Sequence, residues 1–149
     1  MSEEARASVA HVVNRYWEIP NGDVERAGEI YHDDAVLEFP QSGERFEGTA
    51  TFTEWRRQYP ANEVKYRLRR VTTRDDLAVV EVSVSYDGSP WQLGVQILDF
   101  RDGKVTRERI YVMPGWDAPD WRAPWRSATP ADPEADAGPE PTPAPDGQD

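Results

Sequence analysis

Glu108 is the strongest candidate for acid–base chemistry, because the strand pattern places it on a face that should be buried. The dipeptide Asp102-Gly103 is typical of a two-residue hairpin turn, and it sets Glu108 opposite Ile97 and beside Ile110. A carboxylate among apolar side chains is desolvated, which raises its pKa. We therefore predict a general base or acid that works near neutral pH.

Two interpretations of Glu108 remain open at this point, one catalytic and one structural. In the structural one, the carboxylate pairs with an inward arginine such as Arg70. Asp99 also falls on the inward face, but it lies at the hairpin end, where a rim or turn position is expected. Tyr16, on the apolar face of the first predicted helix, is the second catalytic candidate. The alternative for Tyr16 is a core tyrosine whose hydroxyl is satisfied within the protein.

Three helices are predicted ahead of the sheet. Apolar residues at helical spacing indicate a first helix over about 3–18, ended by Pro20-Asn21-Gly22. Asp23 is a plausible N-cap for a second helix that extends to Tyr31 and closes at residues 32–34. Residues 35–39 then form a short strand. Thr51 to Glu54 fits a capping box for a third helix, on which Phe52, Trp55 and Tyr59 share one face.

Four strands follow, and two hairpin turns fix their predicted register. Asp87-Gly88 is a second two-residue turn, and it agrees with the first about which side chains share a face. The predicted inward face holds Val80, Val82, Val84, Tyr86, Trp91, Leu93, Val95, Ile97, Ile110 and Val112. The predicted outward face holds Glu81, Ser83, Ser85, Gln92, Gln96, Leu98, Phe100, Arg107, Arg109 and Tyr111. A three-residue loop over 74–76 puts Tyr66 and Leu68 inside, whereas a two-residue loop would bury three basic residues.

The predicted class is α+β, with three N-terminal helices on one face of a strongly bent antiparallel sheet. A cavity between the two layers would be lined by aromatic and apolar residues. The candidate ligand-binding residues are Phe39, Trp55, Tyr66, Tyr86, Trp91, Ile97, Asp99 and Ile110, with Gln41 and Glu44 as candidates at the cavity mouth. Residues 41–45 otherwise have the composition of a polar turn with internal hydrogen bonds.

Composition excludes several classes of function. The formal net charge is -11, which argues against nucleic acid and anionic membrane partners. The absence of cysteine excludes a disulfide, a thiolate nucleophile or a cysteine metal site. No metal cluster or phosphate loop is visible, so no cofactor is implied. The N-terminus is acidic and no stretch is long and apolar enough to cross a membrane, so we expect a soluble cytoplasmic protein.

The chain divides into one folded domain, 1–126, and a tail, 127–149. The tail is rich in proline and acidic residues and has no basic or aromatic residue, so we expect it to be disordered. Just before it lie Trp116, Trp121 and Trp125. They could form a lid over the cavity, or a strap that packs on the helices or on a dimer partner.

Several segments together resemble the nuclear transport factor 2-like superfamily, specifically its SnoaL-like domains. These segments are VVNRYW, NGDVERAGEIYHDDAVLEFP, RFEG and DFRDGKV, and the resemblance covers residues 5 to about 113. It implies a conical half-barrel with a deep apolar cavity, and a homodimer formed through the outer face of the sheet. Members include polyketide cyclases, ketosteroid isomerase, scytalone dehydratase and limonene-epoxide hydrolase.

The resemblance also assigns expectations to individual residues. Tyr16 matches the tyrosine that donates to the dienolate oxygen in ketosteroid isomerase. Phe39 stands where that enzyme has its carboxylate base, and its later acid falls on Ile97, or on Gln96 if the hairpin is shifted by one. Neither is an acid, so steroid isomerisation is not expected. SnoaL-like cyclases often have a histidine where this chain has Glu108.

The other members of the family fit less well. No Asp-Arg-Asp arrangement of the epoxide hydrolase can be assembled inside, and His11 and His32 are expected to be solvated rather than catalytic. Three functions therefore remain. The protein is a cofactor-free cyclase, isomerase, dehydratase or hydrolase acting on a hydrophobic small molecule, or it binds such a molecule without turnover. Alternatively it is an association module whose cavity is filled, for instance by Trp91 and Tyr66.

Overall fold

Helices and strands follow one another in the order αα-ββ-α-ββββ in the computed structural model, which describes residues 3–19, 23–129 and 131. The helices are α1 (Glu3–Trp17), α2 (Val24–Gly28) and α3 (Thr49–Arg57), and a 3-10 helix spans Asp120–Trp125. The strands are β1 (Tyr31–Phe39), β2 (Glu44–Glu47), β3 (Val64–Arg74), β4 (Leu77–Tyr86), β5 (Gln92–Arg101) and β6 (Lys104–Pro114).

All six strands belong to one curved, unclosed sheet with the order β2-β1-β6-β5-β4-β3. Every neighbouring pair is antiparallel except β1 and β6, which run parallel. The helices bury their apolar residues on one face of the sheet, and Val9, Val13, Leu37, Phe52 and Val80 lie at the centre of this core. The predicted α+β class is confirmed, although the parallel pair was not foreseen.

Both predicted two-residue hairpin turns are present. Asp87 and Asp102 have φ of 49° and 52°, and each is followed by a glycine with φ of 74° or 80°. These are the left-handed conformations that such turns require, which explains the Asp-Gly sequence at both places. The turn at Asp87 is closed by a hydrogen bond from the Ser89 amide to the Tyr86 carbonyl, 2.9 Å.

The predicted register of β5 is wrong, and every β5 side chain lies on the face opposite to the one expected. Gln96, not Val95, pairs with Ile110 and with Val80. One irregularity lies between Asp99 and Phe100, where β6 carries one extra residue, and a second lies in the connection before β5. A one-residue shift exchanges the two faces of a strand. Consequently Gln96, Leu98 and Phe100 point inward, whereas Leu93, Val95, Ile97 and Asp99 point outward.

The predicted pairing at the start of β3 is correct, but the loop length from which it was derived is wrong. The turn after Arg74 has two residues, not three, because Arg74 pairs with Leu77. A bulge between Leu68 and Arg70 then restores the expected pairing of Tyr66 with Val84. Tyr66 is buried as predicted.

The boundaries of the early elements differ from the predictions in three places. The second helix ends at Gly28, and Tyr31 begins β1 instead of completing the helix. The Asp23 N-cap is confirmed, since its carboxylate accepts from the Arg26 amide at 3.2 Å. The capping box is wrong, because α3 begins at Thr49 after Gly48. The predicted stop over residues 20–22 lies outside the described residues.

The remaining sequence predictions concern the membrane and the tail. No helix in the described part of the chain is long and apolar enough to cross a membrane. Most of the predicted tail, 132–149, lies outside the described residues, so its disorder stays a prediction.

Candidate functional site

A cavity of about 460 Å³ opens between the helices and the inner face of the sheet. Its volume falls within the range of small-molecule sites. The mouth lies near exposed residues of the α2, α3 and β3 ends, such as Arg57, Tyr59 and Asn62. The inner end is formed by Tyr16 and Gln96, which also border a second, much smaller void against Glu108.

Six of the predicted site residues line this cavity, and six do not. Those that line it are Tyr16, Phe39, Trp55, Tyr66, Tyr86 and Ile110. Those absent from its wall are Glu108, Gln41, Glu44, Trp91, Ile97 and Asp99. The register shift explains Ile97 and Asp99, which the structure places on the outer face, where the Asp99 carboxylate accepts from Arg109 at 3.2 Å. Tyr66 borders the open space without filling it, and Trp91 does not reach it.

Aromatic rings form most of one cavity wall and position one another. The rings of Phe39 and Trp55 are 6.0 Å apart, and those of Trp17 and Tyr66 are 4.8 Å apart. The Tyr66 hydroxyl donates to the carbonyl oxygen of Trp17 at 3.3 Å, which ties β3 to the end of α1. Apolar walls of this kind favour a ligand with a large apolar surface.

Glu108 is buried as predicted, with only 1% of its surface exposed, and its partner is Tyr31. The Tyr31 hydroxyl donates a hydrogen bond to Oε1 of Glu108. The arginine expected from the sequence is elsewhere, since Arg70 is exposed and pairs with Glu81 at 3.7 Å on the other side. The structural interpretation named Arg70 as the partner of Glu108, and that partner is wrong.

Tyr16 completes a chain of polar groups that leads from Glu108 to the cavity. Tyr16, Tyr31 and Glu108 border the same small void, and Tyr16 also faces the open space of the cavity. The order from the core outward is therefore Glu108, Tyr31, Tyr16. Glu108 itself does not line the cavity.

Arg56 supplies the positive charge near this chain. Its guanidinium carbon lies 5.7 Å from the centre of the Tyr31 ring and 5.5 Å from that of Phe52. Burial opposes its charge, but the nearby Tyr31, Tyr16 and Glu108 more than offset this and raise the pKa of Arg56. Arg56 therefore remains a cation and stabilises negative charge on the chain.

Burial sets the protonation of all three groups. It is the largest influence on Glu108, and it raises the pKa of that carboxyl above 4.5 although Arg56 and the Tyr31 hydrogen bond lower it. Burial likewise raises the pKa of Tyr16, with Arg56 opposing. The pKa of Tyr31 is raised further, by burial and then by the adjacent Glu108. Both phenols therefore keep their protons at neutral pH, and Glu108 keeps its proton to a higher pH than an exposed carboxyl.

Sequence reasoning missed three residues of this arrangement. Tyr31 was assigned to a helix end, although its pairing with Val105 makes it the first residue of β1. Gln96 was weighed only as the result of a shifted hairpin, and the shift is present. Arg56 carried no signal of its own, because a surface helix commonly presents arginine to solvent.

The loop after β1 lies beside the mouth, and neither Gln41 nor Glu44 is part of the cavity wall. The Val112 amide donates to Oε1 of Gln41 at 2.9 Å, which pins the loop to β6 beside the mouth. The Ser42 hydroxyl donates to Glu44 at 2.6 Å, so the predicted internal hydrogen bonds are confirmed. The predicted loop continues as strand β2.

Neither histidine enters the cavity, and no metal site is formed within the described residues. His11 is exposed, and a ring nitrogen of His32 lies 2.6 Å from the Arg101 carbonyl oxygen. No group of three or more potential ligand residues that could hold a metal ion occurs in residues 3–19, 23–129 and 131.

The three tryptophans that follow β6 are exposed to solvent. Trp116, Trp121 and Trp125 expose 76%, 69% and 77% of their surface. None of them lines the cavity, so in this conformation they do not form the lid considered from the sequence. Nor does any of them pack into the core beneath the helices.

Comparison with known proteins agrees with the geometry. The family model for the SnoaL-like domain matches residues 9–108. The chain belongs to the SnoaL-like family. Its fold is that of the nuclear transport factor 2-like superfamily, as the sequence pattern predicted.

Solved structures of similar fold cover most of the chain. A nuclear transport factor 2-like protein of unknown function from Burkholderia xenovorans LB400 is 32% identical, with a TM-score of 0.74 over 83% of this chain and 97% of that one. A proposed ketosteroid isomerase from Kribbella flavida DSM 17836 is 25% identical, with a TM-score of 0.73 over 87% and 93%. A steroid delta-isomerase from Pseudomonas aeruginosa, 18% identical with a TM-score of 0.57 over 76% and 82%, shares the fold. Curated protein sequences gave no match.

Proposed function

We propose that this protein is a cofactor-independent isomerase or lyase that acts on a hydrophobic carbonyl compound. Tyr16 is the catalytic residue that touches the ligand, and its hydroxyl donates to the carbonyl oxygen at the inner end of the cavity. The observation that carries the proposal is the cluster of Tyr16, Tyr31 and buried Glu108 at the inner end of the cavity, in which the Tyr31 hydroxyl donates to Glu108. Similarity to a proposed ketosteroid isomerase at 25% identity supports the same class of chemistry.

Tyr16 stabilises charge at the carbonyl oxygen without giving up its own proton. Its hydroxyl donates a hydrogen bond to that oxygen as negative charge develops there, and Arg56, which also lines the cavity, stabilises the same charge. Behind Tyr16, the Tyr31 hydroxyl donates to the buried Glu108. A proton that leaves carbon passes to a basic group of the substrate itself, because the described residues place no carboxylate on the wall at the inner end.

Gln96 is the second polar group at the inner end, and we propose that its amide helps to orient the ligand. It lines the cavity together with Tyr16. An amide donates a hydrogen bond at any pH but cannot give up a proton. Gln96 would therefore fix the direction of the carbonyl and take no part in proton transfer.

Binding without turnover is the second candidate, and one observation favours it. Asp23 is the one carboxylate among the described residues that line the cavity. It lies at the mouth, where it caps α2. A reaction that removes a proton from carbon would need a base close to the ligand. A ligand that carries no basic group of its own would therefore be bound in the cavity without being turned over.

A panel of cyclic enones, aryl ketones and hydroxyketones separates the two candidates. Wild-type protein, Tyr16→Phe and Tyr66→Phe are each tested for binding and for turnover. Tyr66→Phe is the matched control, because its hydroxyl is engaged with the Trp17 carbonyl. We expect kcat to fall by roughly 10²- to 10³-fold in Tyr16→Phe, as for loss of one oxyanion donor, with ligand affinity largely kept. Binding with no turnover in any protein supports the second candidate.

Two further sequence predictions remain proposals. One is the homodimer formed through the outer face of the sheet. The other is a cytoplasmic location. Neither bears on the cluster of Tyr16, Tyr31 and Glu108 described above.

A further inference from the structure

Arg56 is a cation on a cavity wall that is otherwise mostly apolar. The other two charged residues of the described wall are Asp23 and Arg57, and both are already engaged. Asp23 caps α2. Arg57 forms ion pairs with Glu54, at 2.7 Å, and with Glu25. No carboxylate among the side chains that the structure describes forms an ion pair with Arg56. Arg56 is therefore the charge on this wall that a ligand could neutralise.

Aromatic rings surround the guanidinium group of Arg56. Its central carbon lies 5.7 Å from the ring centre of Tyr31, 5.5 Å from that of Phe52 and 5.8 Å from that of Trp55. Contacts of this kind favour the positive charge, but the N–H groups of a guanidinium still need acceptor atoms. A carboxylate accepts from two of them at once, because its two oxygens match the planar fork of the arginine.

A second donor beside Arg56 lacks an acceptor. The indole Nε1 of Trp55, the preceding residue of α3, is buried and has no hydrogen-bond partner within the described part of the chain. Trp55 lines the same cavity as Arg56. A buried donor without a partner lowers the stability of the fold. A small rotation of the indole would offer this N–H to an anion held by Arg56.

We propose that the ligand of this cavity is a hydrophobic carboxylic acid in its ionised form, whose carboxylate pairs with Arg56 while its apolar body lies against the aromatic wall. The two halves of such a ligand match the two kinds of surface that the cavity offers. A carboxylate placed among apolar side chains is stable only when a cation pairs with it. Arg56 is that cation, and its burial strengthens the pair because little water competes for it.

The carboxylate also supplies the base that the proposed reaction takes from its substrate, and this part of the inference rests on the proposed function. In an unsaturated oxo acid, the carboxylate accepts the proton that leaves carbon. The C–H electron pair forms a new carbon–carbon double bond, and the carbonyl π electrons move to the oxygen that accepts from Tyr16. The negative charge thus passes from one oxygen to another near Arg56, whose charge also acts on Tyr16. Return of the proton to a different carbon completes an isomerisation.

Two ligands that differ only in their head group test the ion pair on the full-length protein. Naphthoate and naphthamide, substituted at the same ring carbon, share one aromatic body. Neither has a ketone to react, so their affinities do not depend on turnover. Calorimetry measures the dissociation constant of each. We expect wild type to bind the carboxylate about 10- to 100-fold more tightly than the amide, as for one charge-assisted pair in an apolar site.

Two neighbouring arginines of α3 provide the variant and its matched control. Arg56→Gln should lose the preference for the carboxylate and still bind the amide, which shows at the same time that the cavity is intact. Arg57→Gln removes the same charge from the next residue, which is exposed at the mouth and already paired with Glu54. It should keep the preference of wild type.

A second measurement uses wild type alone and therefore does not depend on the folding of any variant. Naphthoate labelled with ¹³C at its carboxyl group is bound to the protein at neutral pH, and its nuclear magnetic resonance spectrum is recorded. The chemical shift distinguishes an ionised carboxyl from a neutral one. We expect the shift of the carboxylate ion, because Arg56 holds the charge. An apolar cavity without a paired cation would take up the neutral acid instead.

Three results would overturn the carboxylate site. They are equal affinity of wild type for the acid and the amide, a neutral carboxyl in the complex, and a preference that persists in Arg56→Gln but is lost in Arg57→Gln. The proposed function is judged separately, by turnover of neutral ketones in wild type and Tyr16→Phe. Such turnover without any preference for carboxylates leaves the reaction standing and contradicts the ion pair. Tight binding of naphthoate through Arg56 with no turnover of any ketone or oxo acid does the reverse.

Discussion

Tyr31 and Glu108 are 77 residues apart in the sequence, and the hydroxyl of the first donates a hydrogen bond to the carboxyl of the second within the core. The parallel pairing of β1 with β6 brings them together, since Leu37 lies beside Glu108 and Tyr31 beside Val105. Through this contact the buried carboxyl belongs to a cluster of polar groups that ends at Tyr16 on the cavity wall.

Replacing the ionisable carboxyl of Glu108 with an amide should change how the free energy of unfolding depends on pH. Because burial raises the pKa of Glu108, the folded state holds its proton more tightly than the unfolded chain, which ionises near 4.5. The stability that the neutral carboxyl contributes is present below that value and is lost as pH rises through the raised pKa. Glu108→Gln lacks this titration. Thermal unfolding of both proteins from pH 4 upward should therefore show the variant gaining relative to wild type.

The two proteins differ at no other residue, so the difference between their stability curves isolates Glu108. Parallel curves over the whole range would mean that Glu108 does not change its protonation on folding.

Tyr31→Phe should destabilise the protein although the ring is kept. The Tyr31 ring packs edge-on against Phe52 at 5.0 Å, and phenylalanine preserves that contact. The lost hydroxyl leaves the Glu108 carboxyl without its partner, at a cost of about 1–3 kcal/mol. Denaturant unfolding measures the loss in free energy.

A double-mutant cycle with Glu108→Gln tests whether the cost belongs to this contact. The two changes should be strongly non-additive, because each removes part of the same hydrogen bond. Additive costs would show that the two residues are not energetically coupled.

Gly94→Ala should narrow the cavity and strain the sheet. Gly94 pairs with Val82 and lines the cavity. A Cβ at this position would lie 3.0 Å from Cγ1 of Val82, so that side chain must move. We expect a loss of about 1–3 kcal/mol in unfolding free energy and weaker ligand binding. Gly115→Ala is the matched control, since nothing lies near its added methyl group, and equal effects at both positions would contradict the crowding at Gly94.

The fold was predictable because local signals agreed with one another. The helical spacing of the first residues, the Asp-Gly turns and the alternating strands each required few neighbours to be read correctly. The inward face of β4 and β6 followed directly, and with it the burial of Glu108.

The inner end of the cavity was less predictable, because two small irregularities decide it. One extra residue in β6 and one before β5 move Gln96 to the inner face and Ile97 to the outer face. A bulge inserts only one extra residue into a strand, and no nearby side chain in the sequence indicates its position. Tyr31 was missed for a different reason: its helical spacing with Ala27 hid a strand that only the distant β6 completes.

The central claim is that Tyr16 donates a hydrogen bond to the carbonyl oxygen of a bound ligand, and infrared spectroscopy measures that bond directly. A ketone from the panel, labelled with ¹³C at its carbonyl, is bound to wild type, Tyr16→Phe and Tyr66→Phe. A donated hydrogen bond weakens the carbonyl bond and lowers its stretching frequency. We predict a lowered frequency in wild type and in Tyr66→Phe, and its return towards the value in an apolar solvent in Tyr16→Phe. The same frequency in all three complexes would contradict the account.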